Sequence, residues 1–266
     1  MSIYAAMVLG LIQGLTEFLP VSSDGHLAVA QHFIPGFDQP GLLFDIVLHL
    51  GTLLAVLIYF RREVGLLIWA LGPGDGRATW RRLWMTLIVG TLPAVLAALL
   101  FGPLIERSFD QLWVAGIGLL VTGALLLGSR RLTLGGRALG DMGARDALTV
   151  GLFQSAALLP GISRSGSTIV GGVLRGLSHD AAARFSFLLS IPAILGAAVY
   201  HLPRMSLVEA DAVAGYLTGF ATAFLVGYIT IGFVLRLLAA GRFHLFGYYC
   251  LTAGGAVLVY VAFDLP

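Results

Sequence analysis

The sequence predicts an all-α polytopic membrane protein, an inverted-topology repeat with six full spans and two re-entrant helical hairpins. Composition is the first reason, since 58% of the 266 residues are hydrophobic and only 11% are charged, against about 25% in a soluble domain. Long apolar runs recur along the whole chain, and a repeated motif links its two halves. We therefore expect one integral membrane domain over 1–266, with no separate soluble domain.

Six apolar segments approach the roughly 20 residues needed to cross a bilayer. They are 41–60, 83–101, 112–128, 182–200, 213–235 and 245–263. Two further apolar segments, 3–35 and 147–177, are interrupted in the middle by Pro, Gly and Ser. These two are the predicted hairpins.

Arginine placement orients the spans, because basic residues favour the cytoplasmic side. The connections expected to be cytoplasmic are rich in Arg, and they are 61–82, 129–146 and 236–244. The connections expected outside are slightly acidic, and they are 102–111 and 201–211. With these assignments, 147–177 must enter and leave on the cytoplasmic side, and 3–35 must dip in from the outside.

The repeat supports two oppositely oriented halves, about 1–128 and 145–266. A shift of 141 residues aligns GLIQGLTEFLPVSSDG (10–25) with GLFQSAALLPGISRSG (151–166) without a gap. The same offset pairs Phe44 with Phe185 and Tyr59 with Tyr200. Transporter folds with inverted repeats place their sites where such broken helices meet near the midplane.

Both interruptions are unusually polar, although irregular backbone at membrane depth needs protein or a wet cavity around it. Arg164 is the sharpest signal, because it is the only charge between Asp146 and Arg175 and isolated intramembrane charges are usually functional. Its guanidinium could clamp an anion, most naturally phosphate, or could form an internal ion pair with Glu17 or Asp24.

The residues that follow Arg164 are typical of the start of a helix. Their hydroxyls and backbone N–H groups would face the anion that Arg164 binds. Hydroxyl groups at a helix start are also frequently simple caps. The candidate phosphate ligands of this segment are Ser163, Arg164, Ser165, Ser167 and Thr168.

The first interruption supplies groups that can react. Ser23 fits a nucleophile activated by a neighbouring base, and His26 could handle protons near neutral pH. Glu17 could act as a base, bind a divalent cation, orient His26 or brace the hairpin beside Gln13, four residues earlier. Asp24 could be a second metal ligand or could lie at the external mouth.

Three further polar residues are weaker candidates. Asp45 and His49 lie four residues apart near the external end of a span, where an entrance role and a packing role are both open. Gln154 is expected to brace the second hairpin.

The segments QGLTEFLPVSSDGH and LPGISRSGSTI resemble the two signatures of the undecaprenyl-diphosphate phosphatase family, the bacitracin-resistance type. The resemblance covers most of the chain. It implies hydrolysis of a polyprenyl diphosphate lipid to the monophosphate and inorganic phosphate, which recycles the carrier for peptidoglycan synthesis. It also implies a bacterial inner-membrane location, an active site facing the periplasm or exterior, and a divalent cation, Mg²⁺ or Ca²⁺.

Matched residue by residue, the resemblance makes four residues essential and several hydroxyls supporting. The essential positions are Glu17, Ser23, His26 and Arg164, and the supporting ones include Ser22, Ser163, Ser165 and Thr168. Two departures affect the predicted metal site, which centres on Glu17 with Asp24 or Gln13 as further ligands. Position 13 is Gln, which removes a carboxylate, and position 24 is Asp where the family more often has Ser or Thr.

Several other functions are disfavoured. No basic patch is interleaved with aromatic residues, so we expect no nucleic-acid partner. Cys250 is the only cysteine, which excludes an internal disulfide and a cysteine-rich metal site. The rival function is a transporter or flippase of polyprenyl phosphate, which would need Arg164 but not Ser23 or His26. Membrane lipid surrounds the protein in either case, and a homodimer is a candidate assembly.

Overall fold

A computed structural model describes residues 2–35, 37, 43–132, 135–201 and 210–264. These residues form a helical bundle. Its helices are α1 (Ile3–Thr16), α2 (Ser23–His32), α3 (Leu43–Tyr59), α4 (Arg61–Ala70), α5 (Ala78–Phe109), α6 (Leu112–Ser129), α7 (Ala144–Ala156), α8 (Arg164–Leu174), α9 (His179–His201), α10 (Ala210–Ala239) and α11 (Leu245–Asp264). No strand element occurs among the described residues, so the all-α prediction is confirmed for them.

Five of these helices are long and apolar enough to cross a membrane by themselves, namely α5, α6, α9, α10 and α11. α3 has 17 residues and qualifies only together with α4, from which it bends by 81°. The described residues thus contain five or six candidate spans, in line with the predicted multi-pass architecture. The start of the predicted span 41–60 and most of the connection 201–211 lie outside the described residues.

α4 was not expected, because 61–82 was interpreted as a connection. The charges of Arg61, Arg62 and Glu63 end the apolar run of α3, but the chain bends and continues as a short helix. Leu67 and Ala70 are buried, and the carbonyl of Leu67 accepts a 2.7 Å hydrogen bond from Trp84 Nε1. A few buried residues on one face thus suffice to hold this helix.

Both interrupted segments form two short helices that pack against each other, α1 with α2 and α7 with α8. The second helix of each pair begins at a serine cap. Ser22 Oγ accepts from Gly25 N at 3.3 Å, and Ser163 Oγ accepts from Gly166 N at 3.0 Å. We call the breaks 17–22 and 157–163, with the first turn of the helix that follows each, tip 1 and tip 2.

Glycines let the hairpins approach the long helices closely. α1 packs on α10 and α7 packs on α5. A Cβ atom on Gly10 would lie 2.6 Å from the carbonyl oxygen of Gly219, and one on Gly151 would lie 2.5 Å from that of Gly90. Real Cβ atoms do not come so close, so these crossings require glycine.

The arginines of the described chain collect at one end of the bundle. Apart from Arg107 and Arg164, they lie in or beside the connections where α3, α6, α8 and α10 end and where α5, α7 and α9 begin. At this end Asp146 joins Arg137 and Arg175, with N–O distances of 2.7 and 2.9 Å. Burial raises the pKa of Asp146, but the hydrogen bonds from Arg137, the Gly143 amide and Arg175 outweigh it and lower the value to about 2. Asp146 therefore holds the base of the second hairpin as a carboxylate.

Candidate active site

The two tips meet at closely packed backbone. A Cβ atom on Gly25 would lie 2.9 Å from Gly161 Cα, and one on Gly166 would lie 3.3 Å from Pro20 Cβ. Gly161 has φ +87°, a left-handed conformation that favours glycine. Ser165 Oγ also donates to the carbonyl of Leu19 at 2.9 Å. These contacts bring residues far apart in the sequence into one cluster.

Glu17 lies at the centre of that cluster and is 5% exposed. Its Oε1 forms an ion pair with Arg164 of tip 2. Its Oε2 accepts hydrogen bonds from Ser23 Oγ at 2.6 Å and from Gln13 Nε2 at 3.0 Å. One buried carboxylate therefore connects a hydroxyl of one hairpin with a cation of the other.

Ser23 is presented by strained backbone. It is the first residue of α2, and the preceding Ser22 has φ +67°. Ser22 is the only residue other than glycine with a positive φ in the described part of the chain. Such conformations cost free energy and cluster at functional sites. Here the turn directs the Ser23 hydroxyl to Glu17.

Arg164 is the first residue of α8 and has a side chain 17% exposed. Besides Glu17, it contacts the carbonyl oxygen of Ser186 at 3.4 Å through Nη1. The internal ion pair considered from the sequence is therefore formed. It does not oppose an anion-binding role, because Arg164 also lines the cavity described below.

The hydroxyl groups of tip 2 are buried and mostly engaged within the protein. Ser163 caps α8 and lies 3.2 Å from Ser165 Oγ. Thr168 Oγ1 lies 2.6 Å from Ser186 Oγ of α9 and 2.7 Å from the carbonyl oxygen of Arg164. Ser167 is 2% exposed. These contacts tie the tip together, and the phosphate-binding role of these hydroxyls, and of Ser22, stays a prediction.

His26 does not contact Ser23 through a hydrogen bond. Its Nδ1 lies 2.7 Å from the carbonyl oxygen of Ser22, and its Nε2 lies 2.7 Å from the hydroxyl of Tyr249. Tyr249 belongs to α11, and sequence reasoning did not select it because the pair is separated by 223 residues. The group placed to take the Ser23 proton is Glu17.

Asp24 and His49 also meet at the site. His49 Nε2 lies 3.3 Å from Asp24 Oδ1 and 3.4 Å from Glu17 Oε2. The spacing of His49 from Asp45 pointed to an entrance or packing role, whereas the structure places His49 between two carboxylates. Its i, i+4 position on an apolar helix beside a polar hairpin was the only sequence signal.

A cavity of about 490 Å³ opens beside this cluster. Its polar end is lined by Asp24, His49 and Arg164, and most of its remaining wall comes from apolar residues of α5 and α9. Gln154 also lines it and donates to the carbonyl of Gly90 at 3.3 Å, as expected of a brace. The lining comes from the start of α3 and the final halves of α5 and α9, so the cavity lies towards the end opposite the arginine-rich one.

The described residues include no group of three or more His, Cys, Asp or Glu side chains placed to hold a metal ion. Glu17 already uses both oxygens for Arg164, Ser23 and Gln13. Gln13 Oε1 is buried without a hydrogen-bond partner, and a single amide oxygen is a weak basis for a cation site. As arranged, these side chains do not fit a cation held by the protein alone.

Comparison with known proteins agrees with the two motifs. The family described as Bacitracin resistance protein BacA matches residues 6–256. A protein named undecaprenyl-diphosphatase from Syntrophotalea carbinolica is 44% identical over 256 residues, covering 96% of this chain and 97% of the relative. Relatives with the same name come from Carboxydothermus hydrogenoformans, 44% identical with 97% of each chain covered, and Thermobifida fusca, 41% identical with 100% and 92% covered. The resemblance inferred from the motifs is confirmed, and the chain belongs to the BacA family.

Proposed function

We propose that this protein hydrolyses undecaprenyl diphosphate, or a related polyprenyl diphosphate, to the monophosphate and inorganic phosphate. The observation that carries the proposal is the Glu17 carboxylate, which holds the Ser23 hydroxyl at 2.6 Å and the Arg164 guanidinium of the other hairpin. A nucleophile, a base and a phosphate-binding cation thus share one buried centre. The names of the relatives supply the substrate class.

In the proposed reaction, Ser23 Oγ attacks the terminal phosphorus while its proton passes to Glu17. The bond from that phosphorus to the bridging oxygen breaks, and polyprenyl monophosphate leaves with the proton from Glu17. Water then attacks the phosphoserine and gives a proton to Glu17, the bond from Ser23 Oγ to phosphorus breaks, and Ser23 takes that proton back as inorganic phosphate leaves. Arg164 neutralises the transferring phosphoryl group, which is the main catalytic task in phosphoryl transfer. Attack by water or by His26 is the alternative that sequence left open, and the Ser23–Glu17 hydrogen bond favours Ser23.

The cavity suits the rest of such a lipid. Its polar end meets the cluster and its apolar wall between α5 and α9 offers a path for the polyprenyl chain. The cavity lies towards the end away from the arginines, and arginine-rich connections favour the cytoplasm. These observations support the proposal that the active site faces the periplasm or exterior of a bacterial inner membrane.

We also propose that the halves 1–128 and 145–266 form an inverted repeat and that both hairpins are re-entrant. The contacts between the tips support this, since Gly25 with Gly161 and Pro20 with Gly166 are equivalent pairs under the shift of 141 residues. The hairpin of each half also packs on a long helix of the other, α1 on α10 and α7 on α5.

Membrane orientation has a direct test. Arg77→Cys and Asp110→Cys, each made in a Cys250→Ala background, introduce single cysteines at opposite ends of the bundle. A membrane-impermeant maleimide applied to intact spheroplasts should label the cysteine at 110 and not the one at 77. The reverse pattern would put the cavity on the cytoplasmic face.

A divalent cation, Mg²⁺ or Ca²⁺, remains a prediction, and no step above runs through it. Because the protein ligands are few, we expect any required cation to bind together with the diphosphate. Chelation should then abolish turnover without lowering the thermal stability of the substrate-free protein. A cation held by the protein alone would instead raise that stability in the absence of substrate.

The activity is tested by phosphate release from undecaprenyl diphosphate by purified protein in detergent. Wild type should release phosphate rapidly, and Arg164→Ala should be slower by about 10²-fold or more. Arg184→Gln, at the arginine-rich end, serves as the matched control. Equal, background-level release by wild type and Arg164→Ala would reject the enzyme. The transporter alternative is not favoured, because the relatives are named as diphosphatases.

A further inference from the structure

Two cationic side chains line the polar end of the cavity, Arg164 and His49. Arg164 is paired with Glu17. His49 Nε2 lies 3.4 Å from the same carboxylate and 3.3 Å from Asp24 Oδ1. The proposed reaction uses Glu17 and Arg164 but assigns no role to His49 or Asp24.

Hydrogen-bond partners define the state of the His49 ring. Nδ1 lies 2.7 Å from the backbone carbonyl oxygen of Asp45, which can only accept. Nε2 faces the carboxylates of Glu17 and Asp24, which also accept. With both carboxyl groups ionised, both nitrogens carry a hydrogen and the ring is an imidazolium. Arg164, from the second hairpin, is a further charged group near Asp24, and Asp45, one helical turn before His49, lines the same cavity.

The two carboxylates beside His49 differ in access. The side chain of Glu17 is 3% exposed, whereas that of Asp24 is 31% exposed and lines the cavity. Glu17 is held by Arg164, Ser23 and Gln13. Within the described residues, the side chain of Asp24 pairs with His49. An anion that enters the cavity can therefore replace Asp24 on His49 without disturbing the Glu17 centre.

We propose that His49 is a second phosphate-binding cation, and that Asp24 is its counterion in the substrate-free state, displaced when a diphosphate enters. The inference deepens the proposed function and rests on it. His49 and Arg164 would each hold diphosphate oxygens, with His49 keeping Nδ1 on the Asp45 carbonyl. Asp24 competes with the substrate for His49, so it weakens substrate binding while balancing the charge of His49 when no substrate is bound.

Opposite effects on binding separate this role from a structural one. Loss of the His49 donors should weaken substrate binding, and loss of the Asp24 charge should strengthen it. A residue that only braces the hairpin would not improve binding when it is removed. The reaction step itself uses neither group, so kcat should change far less than KM.

The test compares His49→Phe, which keeps a ring without donors, with His49→Gln, which keeps one donor, and with Asp24→Asn. KM and kcat for undecaprenyl diphosphate are measured for each purified variant. His49→Phe should raise KM about tenfold, the loss expected for one charge-assisted hydrogen bond, and His49→Gln should raise it less. Asp24→Asn should lower KM about threefold. His32→Phe, on the hydrogen bond to Tyr260, and Asp110→Asn, exposed after α5, are matched controls.

Binding of inorganic pyrophosphate, followed by the thermal shift of the same proteins, separates this proposal from the proposed function. One outcome is that wild type releases no phosphate while pyrophosphate binds most tightly to Asp24→Asn, less tightly to wild type and least tightly to His49→Phe. In that case the proposed function is wrong, and the proposed anion site is supported. If wild type is active but His49→Phe leaves both affinities unchanged, or Asp24→Asn weakens them, His49 and Asp24 do not have these roles. Should His49→Phe fail to fold, His49→Gln and Asp24→Asn still decide the question.

Discussion

Tip 1 and tip 2 are built on the same local plan but carry different chemistry. In each, a helix ends, a serine caps the next helix, and a glycine three residues later supplies the capped N–H. Tip 1 turns through the positive φ of Ser22 and directs the Ser23 hydroxyl to Glu17. Tip 2 turns through Gly161 and supplies Arg164, while its hydroxyls bind to neighbouring protein groups.

In the proposed reaction the two hairpins have different roles. Tip 1 holds the groups that react, and tip 2 holds the cation that binds the phosphate. Glu17 is the link, because it contacts Ser23 of its own hairpin and Arg164 of the other. Changes in tip 1 should therefore affect kcat first, and changes in tip 2 should affect binding as well.

The largest effect is expected from Ser23→Ala. Removing the nucleophile should lower kcat by at least about 10³-fold, as in other enzymes with covalent catalysis. Phosphate release in single-turnover experiments measures it. Ser155→Ala, whose hydroxyl bonds only within α7 in the described structure, is the control. If Ser23→Ala keeps activity within tenfold of wild type, Ser23 is not the nucleophile, and water or His26 attacks the phosphorus instead.

Glu17→Gln should have the next largest effect. The amide cannot take the Ser23 proton, and it leaves the Arg164 charge without its partner, so we expect kcat to fall about 10²-fold. Phosphate release with saturating substrate measures this loss. Glu63→Gln, which removes an ion pair with Arg184 at the arginine-rich end, should retain activity. If both variants lost equal activity, the effect would be general destabilisation.

Packing of tip 2 against α6, which holds it in place beside tip 1, is tested by Gly161→Ala. Its Cβ would lie 2.1 Å from the carbonyl oxygen of Ala115, on backbone with φ +87°. We expect a loss of about 2 kcal/mol in the free energy of unfolding, measured by denaturation in detergent. Gly255→Ala, where nothing lies within 4 Å of the added Cβ, should be neutral or stabilising. A neutral Gly161→Ala would mean that tip 2 is not closely packed on α6.

The smallest effect concerns Asp146 at the base of the second hairpin. Its folded pKa, about 2, lies below the ordinary 3.8, so its contribution is fully present above about pH 4 and is lost as the pH falls through 2. Asp146→Asn should be less stable near neutral pH by about 1 kcal/mol, and the difference should shrink as the pH falls below 4 and vanish below pH 2. Denaturation curves across this range measure it. If the difference in stability between Asp146→Asn and wild type does not change with pH, the effect comes from packing and not from the charge of Asp146.

Sequence patterns predicted the helical architecture and both interruptions, and they selected Gln13, Ser23 and Arg164, which contact Glu17 in the structure. Apolar runs and breaks are local properties, so one chain is enough to recognise them. α4 was missed because Arg61, Arg62 and Glu63 end the apolar run of α3. Packing of buried residues, which an apolar run does not reveal, holds the helix that follows.

Other side-chain partners could not be predicted. Tyr249 reaches His26 from α11, and His49 meets Asp24 and Glu17 from α3. Only the packing of distant helices creates these pairs. The same reason explains why His26 was matched with Ser23, its neighbour in sequence, whereas the Ser23 hydroxyl bonds to Glu17.

Equilibrium binding of undecaprenyl diphosphate to inactive protein tests the division between the tips most directly. Ser23→Ala should bind the intact lipid with the affinity of the wild-type site, because the hydroxyl is needed only for reaction. Adding Arg164→Ala should weaken binding about 10²-fold, since a guanidinium that can donate two hydrogen bonds to phosphate is lost. Equal affinities of the single and double variants would contradict the account, because tip 2 would then not be the part that holds the phosphate.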